Sequence, residues 1–194
     1  MKIVGVNGSP RLIGNTSAAL RALLDEMEKE GHETEHLQIY DEEMLPCNAC
    51  MSCRLRADGR CINENDRLNE YLESLYSADA IVLASPVYFG SVTSQMKVFM
   101  ERVGLCAKYA GNKLRRKVAA PMVIQGSRGG MMAHAELVNF MLDCHMVICP
   151  SSECVVLTAE GPKDLEGDER NMRVIKDLAV EIDWLVRSLN DRYQ

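Results

Sequence analysis

Four of the eight cysteines fall close together, as Cys47-x2-Cys50-x2-Cys53-x7-Cys61. Three thiols at a regular spacing of three resemble the C-x2-C-x2-C run that holds a [4Fe–4S] cube, and Cys61 is near enough to give the fourth ligand. Structural zinc sites usually join two pairs across a longer stretch. No histidine lies in the segment, so mixed nitrogen and sulfur ligation is disfavoured. Zinc at the same four cysteines, or a redox-active thiol cluster without metal, stand as alternatives. Arg54, Arg56 and Arg60 lie between the ligands. They either offset the negative charge of a four-thiolate cluster or form a solvated loop face. Cys106, Cys144, Cys149 and Cys154 form no second motif and read as small buried hydrophobes.

A second chemistry-bearing segment follows the first apolar run, Lys2 to Asn7. It reads Gly8-Ser9-Pro10-Arg11-Leu12-Ile13-Gly14-Asn15-Thr16-Ser17. Backbone N–H groups at a helix start, the hydroxyls of Ser9, Thr16 and Ser17, the Asn15 amide and the Arg11 guanidinium form a donor array. Such an array suits a terminal phosphate dianion. The glycine fingerprints G-x-G-x-x-G and G-x-x-x-x-G-K-[ST] are absent. FMN therefore fits better than NAD or ATP. The plainer alternative is a helix capped by Asn15 or Thr16.

Two further loops would close the site. Pro86, Val87, Tyr88, Phe89 and Gly90 follow a buried strand, and their adjacent aromatics can flank an isoalloxazine ring. Gly126-Ser127-Arg128-Gly129-Gly130 follows the next strand and brings backbone close to the same ligand.

The elements that must position these loops alternate in period. Strand-like runs at 2–7, 35–40, 80–84, 118–125 and 147–158 are separated by helical patterns at 17–31, 66–77, 94–105, 133–144 and 171–189. Near-continuous apolar strands imply burial on both faces, hence a parallel sheet between helices. The expected fold class is α/β, a doubly wound five-stranded parallel sheet of order 2-1-3-4-5. A cysteine-rich insertion at 42–65, too long for an ordinary connection, follows strand 2.

Composition sets outer bounds. With 47% hydrophobic and 26% charged residues the chain is globular rather than disordered, and its net charge of -6 argues against non-specific nucleic-acid binding. The longest uncharged stretch, Ala80 to Met96, holds Pro86 and Gly90 and is a poor membrane span. No signal region opens the sequence, so a cytoplasmic protein is expected. The basic run Lys113, Arg115, Arg116, Lys117 reads as a solvated lead into strand 4. Its functional alternatives are docking of an acidic electron donor or binding of the NADPH 2′-phosphate.

Over nearly its whole length the chain resembles the archaeal and bacterial iron–sulfur flavoproteins, within the flavodoxin-like NAD(P)H-dependent FMN reductases. The resemblance rests on GSPRLIGNTS at 8–17, PCNACMSCRLRADGRC at 46–61, SPVYFGSVTSQMKVFMERV at 85–103 and GSRGG at 126–130. It implies a single flavodoxin-like FMN-binding domain over 1–194. It further implies one FMN and one [4Fe–4S] cluster per subunit, in dimers or dimers of dimers, with a cluster near a neighbouring subunit's flavin. On this basis Ser9, Arg11, Asn15, Thr16 and Ser17 resemble the phosphate site, and 86–90 the ring-binding loop.

The cofactors dictate the expected chemistry: electrons pass between a ferredoxin-like one-electron carrier, the cluster and FMN, and then to a small acceptor. One alternative is an NAD(P)H-dependent FMN or quinone reductase with a merely structural metal site. Another is a non-catalytic flavodoxin-like carrier or sensor.

Overall fold

In the computed structural model the described residues are 1–40, 44–161, 164–165 and 167–190. The expected start of the insertion at 42 and the last four residues of the expected domain lie outside them. The elements are β1 (Lys2–Asn7), α1 (Asn15–Lys29), β2 (Glu33–Gln38), α2 (Ser52–Arg56), α3 (Leu68–Ser77) and β3 (Ala80–Pro86). They continue with α4 (Ser94–Tyr109), β4 (Val118–Gln125), α5 (Gly130–Asp143), β5 (Val147–Ile148), β6 (Val156–Thr158) and α6 (Glu169–Asn190). Among the described residues these strands pair in parallel, in the order β2-β1-β3-β4-β5, with β6 also on β4.

The inner strands β1, β3 and β4 feed two cores, because successive side chains leave opposite faces. Val4, Val6, Ile81, Leu83 and Val123 pack with Leu72, Phe99 and Leu137 of α3, α4 and α5. Ile3, Val82, Met122 and Ile124 pack with Leu20, Leu23, Ile175 and Leu178 of α1 and α6. The apolar strand runs are thus explained by helices on both sides. Among the described residues, no helix is long and apolar enough to cross a membrane.

One expected strand is corrected. The run 147–158 is two short strands at the two ends of one edge of β4, separated by Cys149–Val155. Two prolines account for the gap. Val118 N–H donates to Asp79 on the β3 side, and Val123 N–H donates to Val155 on the other. Alternation puts position 121 on the Val155 side, where Pro121 has no N–H to offer. Pro150 lacks one on the incoming segment. A ladder cannot run through the middle of this edge, so the chain leaves it and returns.

Candidate functional site

The three loops predicted to hold FMN leave the carboxyl ends of β1, β3 and β4. That end, where chain connections diverge on either side of β1, is where doubly wound sheets bind ligands. The first loop is tied down from three directions. Asn7 Oδ1 accepts from Ser9 N–H at 3.0 Å, and Asn7 Nδ2 donates to Gln38 Oε1 at 2.6 Å. Gln38 Nε2 donates to the Ser9 carbonyl at 2.7 Å, and Thr93 Oγ1 donates to the Gly8 carbonyl at 2.6 Å. Asn7, Gln38 and Thr93 were not singled out from sequence. Asn7, a polar residue closing the apolar run of β1, carries a signal that could have found it; Gln38, at the end of the mostly polar β2, carries none.

The capping alternative does not hold. The residue preceding α1 is Gly14, in extended conformation, and no side chain caps the helix. The first intrahelical acceptor, the Gly14 carbonyl, takes Ala18 N–H. The Asn15, Thr16 and Ser17 amides therefore sit in a first turn that provides them no helical acceptor. Thr16 and Ser17 are buried, while Arg11 is exposed. Ser9 Oγ accepts from Arg11 N–H at 3.1 Å and retains its own proton to donate. Asn15 turns differently from expectation: its Nδ2 donates to the Gly161 carbonyl at 2.9 Å, and its Oδ1 is buried without a partner.

The second loop is a tight reversal. Tyr88 and Ser91 exchange backbone hydrogen bonds of 2.9 and 3.1 Å across Phe89 (φ 51°) and Gly90 (φ 81°). Two left-handed central residues define a type I′ turn. Phe89 stands fully exposed at its tip, and Tyr88 is partly exposed. Glu136 of α5 accepts from Ser91 Oγ at 2.7 Å, bracing the base of the turn. Thr93 caps α4 by accepting from Met96 N–H while it holds Gly8, so one side chain joins the first and second loops.

The third loop closes on the second. Gly129 has φ 88°, and a Cβ there would lie 3.0 Å from Gly90 Cα and 3.2 Å from Val87 Cγ1. Gly130 N–H donates to Gln125 Oε1 at 2.9 Å. Ser127 and Arg128 are exposed between them. Leu12, Ile13, Met131 and Met132 add to the exposed apolar rim of this end of the sheet.

The cysteines occupy another site, on the flank where α4 packs. Between Ala49 and Gly59 the backbone turns left-handed at Ala49, Met51, Ala57 and Gly59, a compact wrapping that non-glycine residues adopt only when their surroundings enforce it. Cys47, Cys50, Cys53 and Cys61 line one cavity of about 180 Å³ together with Met51, Arg102, Leu105 and Cys106. Among the described residues, no three His, Cys, Asp or Glu side chains form a group able to hold a single metal ion. Tetrahedral zinc would gather its sulfurs about 2.3 Å from one point. A [4Fe–4S] cube also takes four cysteine sulfurs, so four thiols lining one cavity are a donor set for either group. The Ser52 hydroxyl, by hydrogen bonding, lowers the pKa of exposed Cys50, while burial raises that of Cys53. Burial pushes Cys106 to about 12, which keeps it a neutral wall thiol.

The arginines of the insertion have other partners. Arg56 pairs with Asp58 at 3.0 Å, Arg60 pairs with Glu73, and Arg54 lies 5.9 Å from the Tyr109 ring centroid. Among the described residues, Arg102 of α4 donates to one of these four thiols, Cys61 Sγ, at 3.2 Å. The basic run also lies away from the three loops, at the start of β4, roughly 25 Å along an eight-residue strand from its carboxyl end. There Lys117 Nζ donates to the Tyr76 and Ala78 carbonyls, and Lys113 Nζ lies 4.8 Å from the Tyr76 ring centroid. That position does not suit a 2′-phosphate of a nucleotide bound at the loops.

The family described as NADPH-dependent FMN reductase matches residues 1–161. An iron–sulfur flavoprotein of Methanocaldococcus jannaschii is 31% identical over 194 residues, covering 96% of this chain and 98% of its own. An iron–sulfur flavoprotein of Archaeoglobus fulgidus is 33% identical over 180 residues, covering 91% and 87%. A solved flavodoxin from the domain Archaea superposes with TM-score 0.65 at 18% identity, covering 96% of this chain and 99% of that one; it shares the fold. The chain therefore belongs to the iron–sulfur flavoproteins of the NADPH-dependent FMN reductase family and is an FMN-dependent oxidoreductase.

Proposed function

We propose that this chain carries FMN across its three loops and a [4Fe–4S] cluster on Cys47, Cys50, Cys53 and Cys61. In this reading it passes electrons from a ferredoxin-like one-electron carrier to a small acceptor. A bound flavin exchanges one or two electrons and a cluster exchanges one, so the pair can join the two kinds of carrier. The single observation that carries the reading is the presence, on one chain, of an uncapped helix N-terminus at the sheet's ligand-binding end and a cavity walled by four thiols.

The residues divide the work. The Asn15–Ser17 amides, with Ser9, Thr16, Ser17 and Arg11, receive the flavin phosphate at the positive end of α1. Tyr88 and Phe89 flank the ring, and Gly129 and Gly130 keep the backbone beside it. Four thiolates hold the cluster, and the apolar walls from Met51 and Leu105 keep water from it. From Thr93, beside the flavin loops, to Arg102, at the cavity, α4 advances about 14 Å. A homodimer, or a dimer of such dimers, that set one copy's cavity against the other's exposed loop rim would shorten that path and cover Phe89, Met131 and Met132. The cytoplasm, where thiols stay reduced, suits the eight unpaired cysteines.

A second reading is favoured by the family description itself: hydride from NAD(P)H reduces FMN, a flavin or quinone is the acceptor, and the cysteine site is only structural. Anaerobic reconstitution with assays of iron, acid-labile sulfide and FMN separates the two. The electron relay requires about four irons and four sulfides per flavin (the composition of one cubane). Zinc without labile sulfide overturns it.

A further inference from the structure

Of the four cluster cysteines, Cys61 is tied to the protein through backbone and sulfur alike. Its N–H donates to Asn69 Oδ1 at 2.8 Å, and its carbonyl accepts from Asn69 Nδ2 at 3.0 Å. Its sulfur accepts from Arg102 Nη2 at 3.2 Å. Cys47 Sγ accepts from Ala49 N–H at 3.4 Å in an exposed contact, and Cys50 is exposed. Arg102 itself is buried, with a side chain 2% accessible. It donates to the Leu45 carbonyl at 3.3 Å and forms a two-pronged ion pair with Asp66, whose side chain is equally buried.

A buried ion pair contributes little net stability compared with apolar residues of the same size, because both charges are taken from water. Here the pair stands against the cavity wall, and the guanidinium splits its donors between a carboxylate and a ligand sulfur. Hydrogen bonds and charge next to a cluster's sulfurs are what a protein uses to tune its potential. We propose that Arg102 positions Cys61 and raises the cluster's potential at that corner, while Asp66 orients Arg102 and partly cancels its charge. This rests on the reading that these cysteines hold a cluster. Reduction adds one electron and one negative charge without making or breaking a bond. A nearby cation favours the reduced form, and a nearby anion disfavours it.

A merely structural pair and a charge-setting pair predict different signs. Dye-mediated anaerobic titration with dithionite, followed spectroscopically, reads the cluster potential in holoprotein. Arg102→Gln should lower it and Asp66→Asn should raise it, each by at least a tenfold change in the equilibrium constant for reduction, or about 59 mV. The doubly substituted protein should return toward the parent. Asp66→Asn keeps an acceptor for Leu68 N–H at the start of α3, where Asp66 Oδ1 accepts at 3.2 Å. It therefore carries the test if Arg102→Gln does not fold. Shifts of the same sign, or an unmoved potential in Asp66→Asn with iron, sulfide and FMN at parental levels, would overturn the proposal. Parental protein without labile sulfide would instead sink the underlying reading, and the proposal with it.

Discussion

Gly129→Ala is the sharpest probe of the flavin site. At φ 88° an alanine adopts a left-handed backbone, at a cost of about 1–2 kcal/mol. Its Cβ would also stand 3.0 Å from Gly90 Cα, a backbone atom of the adjoining turn with little room to yield. Free protein can relieve this by letting the 126–130 and 86–90 loops separate. A bound flavin needs them together, so the strain falls on the complex. One to two kcal/mol in the complex alone weakens binding about 5- to 30-fold. Gly126→Ala, in the same loop, meets nothing within 4 Å and has no left-handed φ, so it serves as the control. Titration of anaerobic apoprotein with FMN, followed by quenching of flavin fluorescence, should show the loss in Gly129→Ala and a change within about twofold in Gly126→Ala. Equal affinity in Gly129→Ala and parent, or equal losses in both variants, would refute the convergence of these loops on the ligand.

Cys50→Ser should abolish labile sulfide and ferredoxin-linked flavin reduction while the FMN content stays near parental; unimpaired relay activity with three cysteines would contradict the cluster assignment. Thr93→Val removes the cap of α4 and the hydroxyl on the Gly8 carbonyl, and should lower unfolding stability by about 2 kcal/mol in urea. Away from the site, partial burial opposes ionisation of Asp183, but hydrogen bonds from His32 and Arg187 prevail and hold its carboxyl below its ordinary 3.8. A depressed folded pKa gives stability that is full above 3.8 and is lost as pH falls through the lower folded value. The stability deficit of Asp183→Asn should therefore be constant from neutral pH down to about 3.8 and narrow below it. A deficit unchanged in still stronger acid would show that the carboxylate charge is not involved.

Local sequence carried much of this protein. Alternating apolar strands and amphipathic helices dictated the layers and, with handedness, the sheet order, because burial on two faces requires continuous apolar runs. The spacing of Cys47, Cys50, Cys53 and Cys61 marked four thiols that share one cavity, since a short loop can bring its own side chains together. Other features depended on which distant segments the sheet makes neighbours. Thr93 meets Gly8 across 85 residues, and Arg102 meets Cys61 across 41. By sequence alone the local arginines 54, 56 and 60 suit either charge compensation of four thiolates or a solvated face, and packing gives them Tyr109, Asp58 and Glu73 as partners. The break between β5 and β6 likewise needed the register, because Pro121 matters only on the edge its missing N–H faces. Thiol spacing and layer order are properties of short stretches and their periodicity. Which charge touches which sulfur is a property of packing, set only once α4 lies across the insertion.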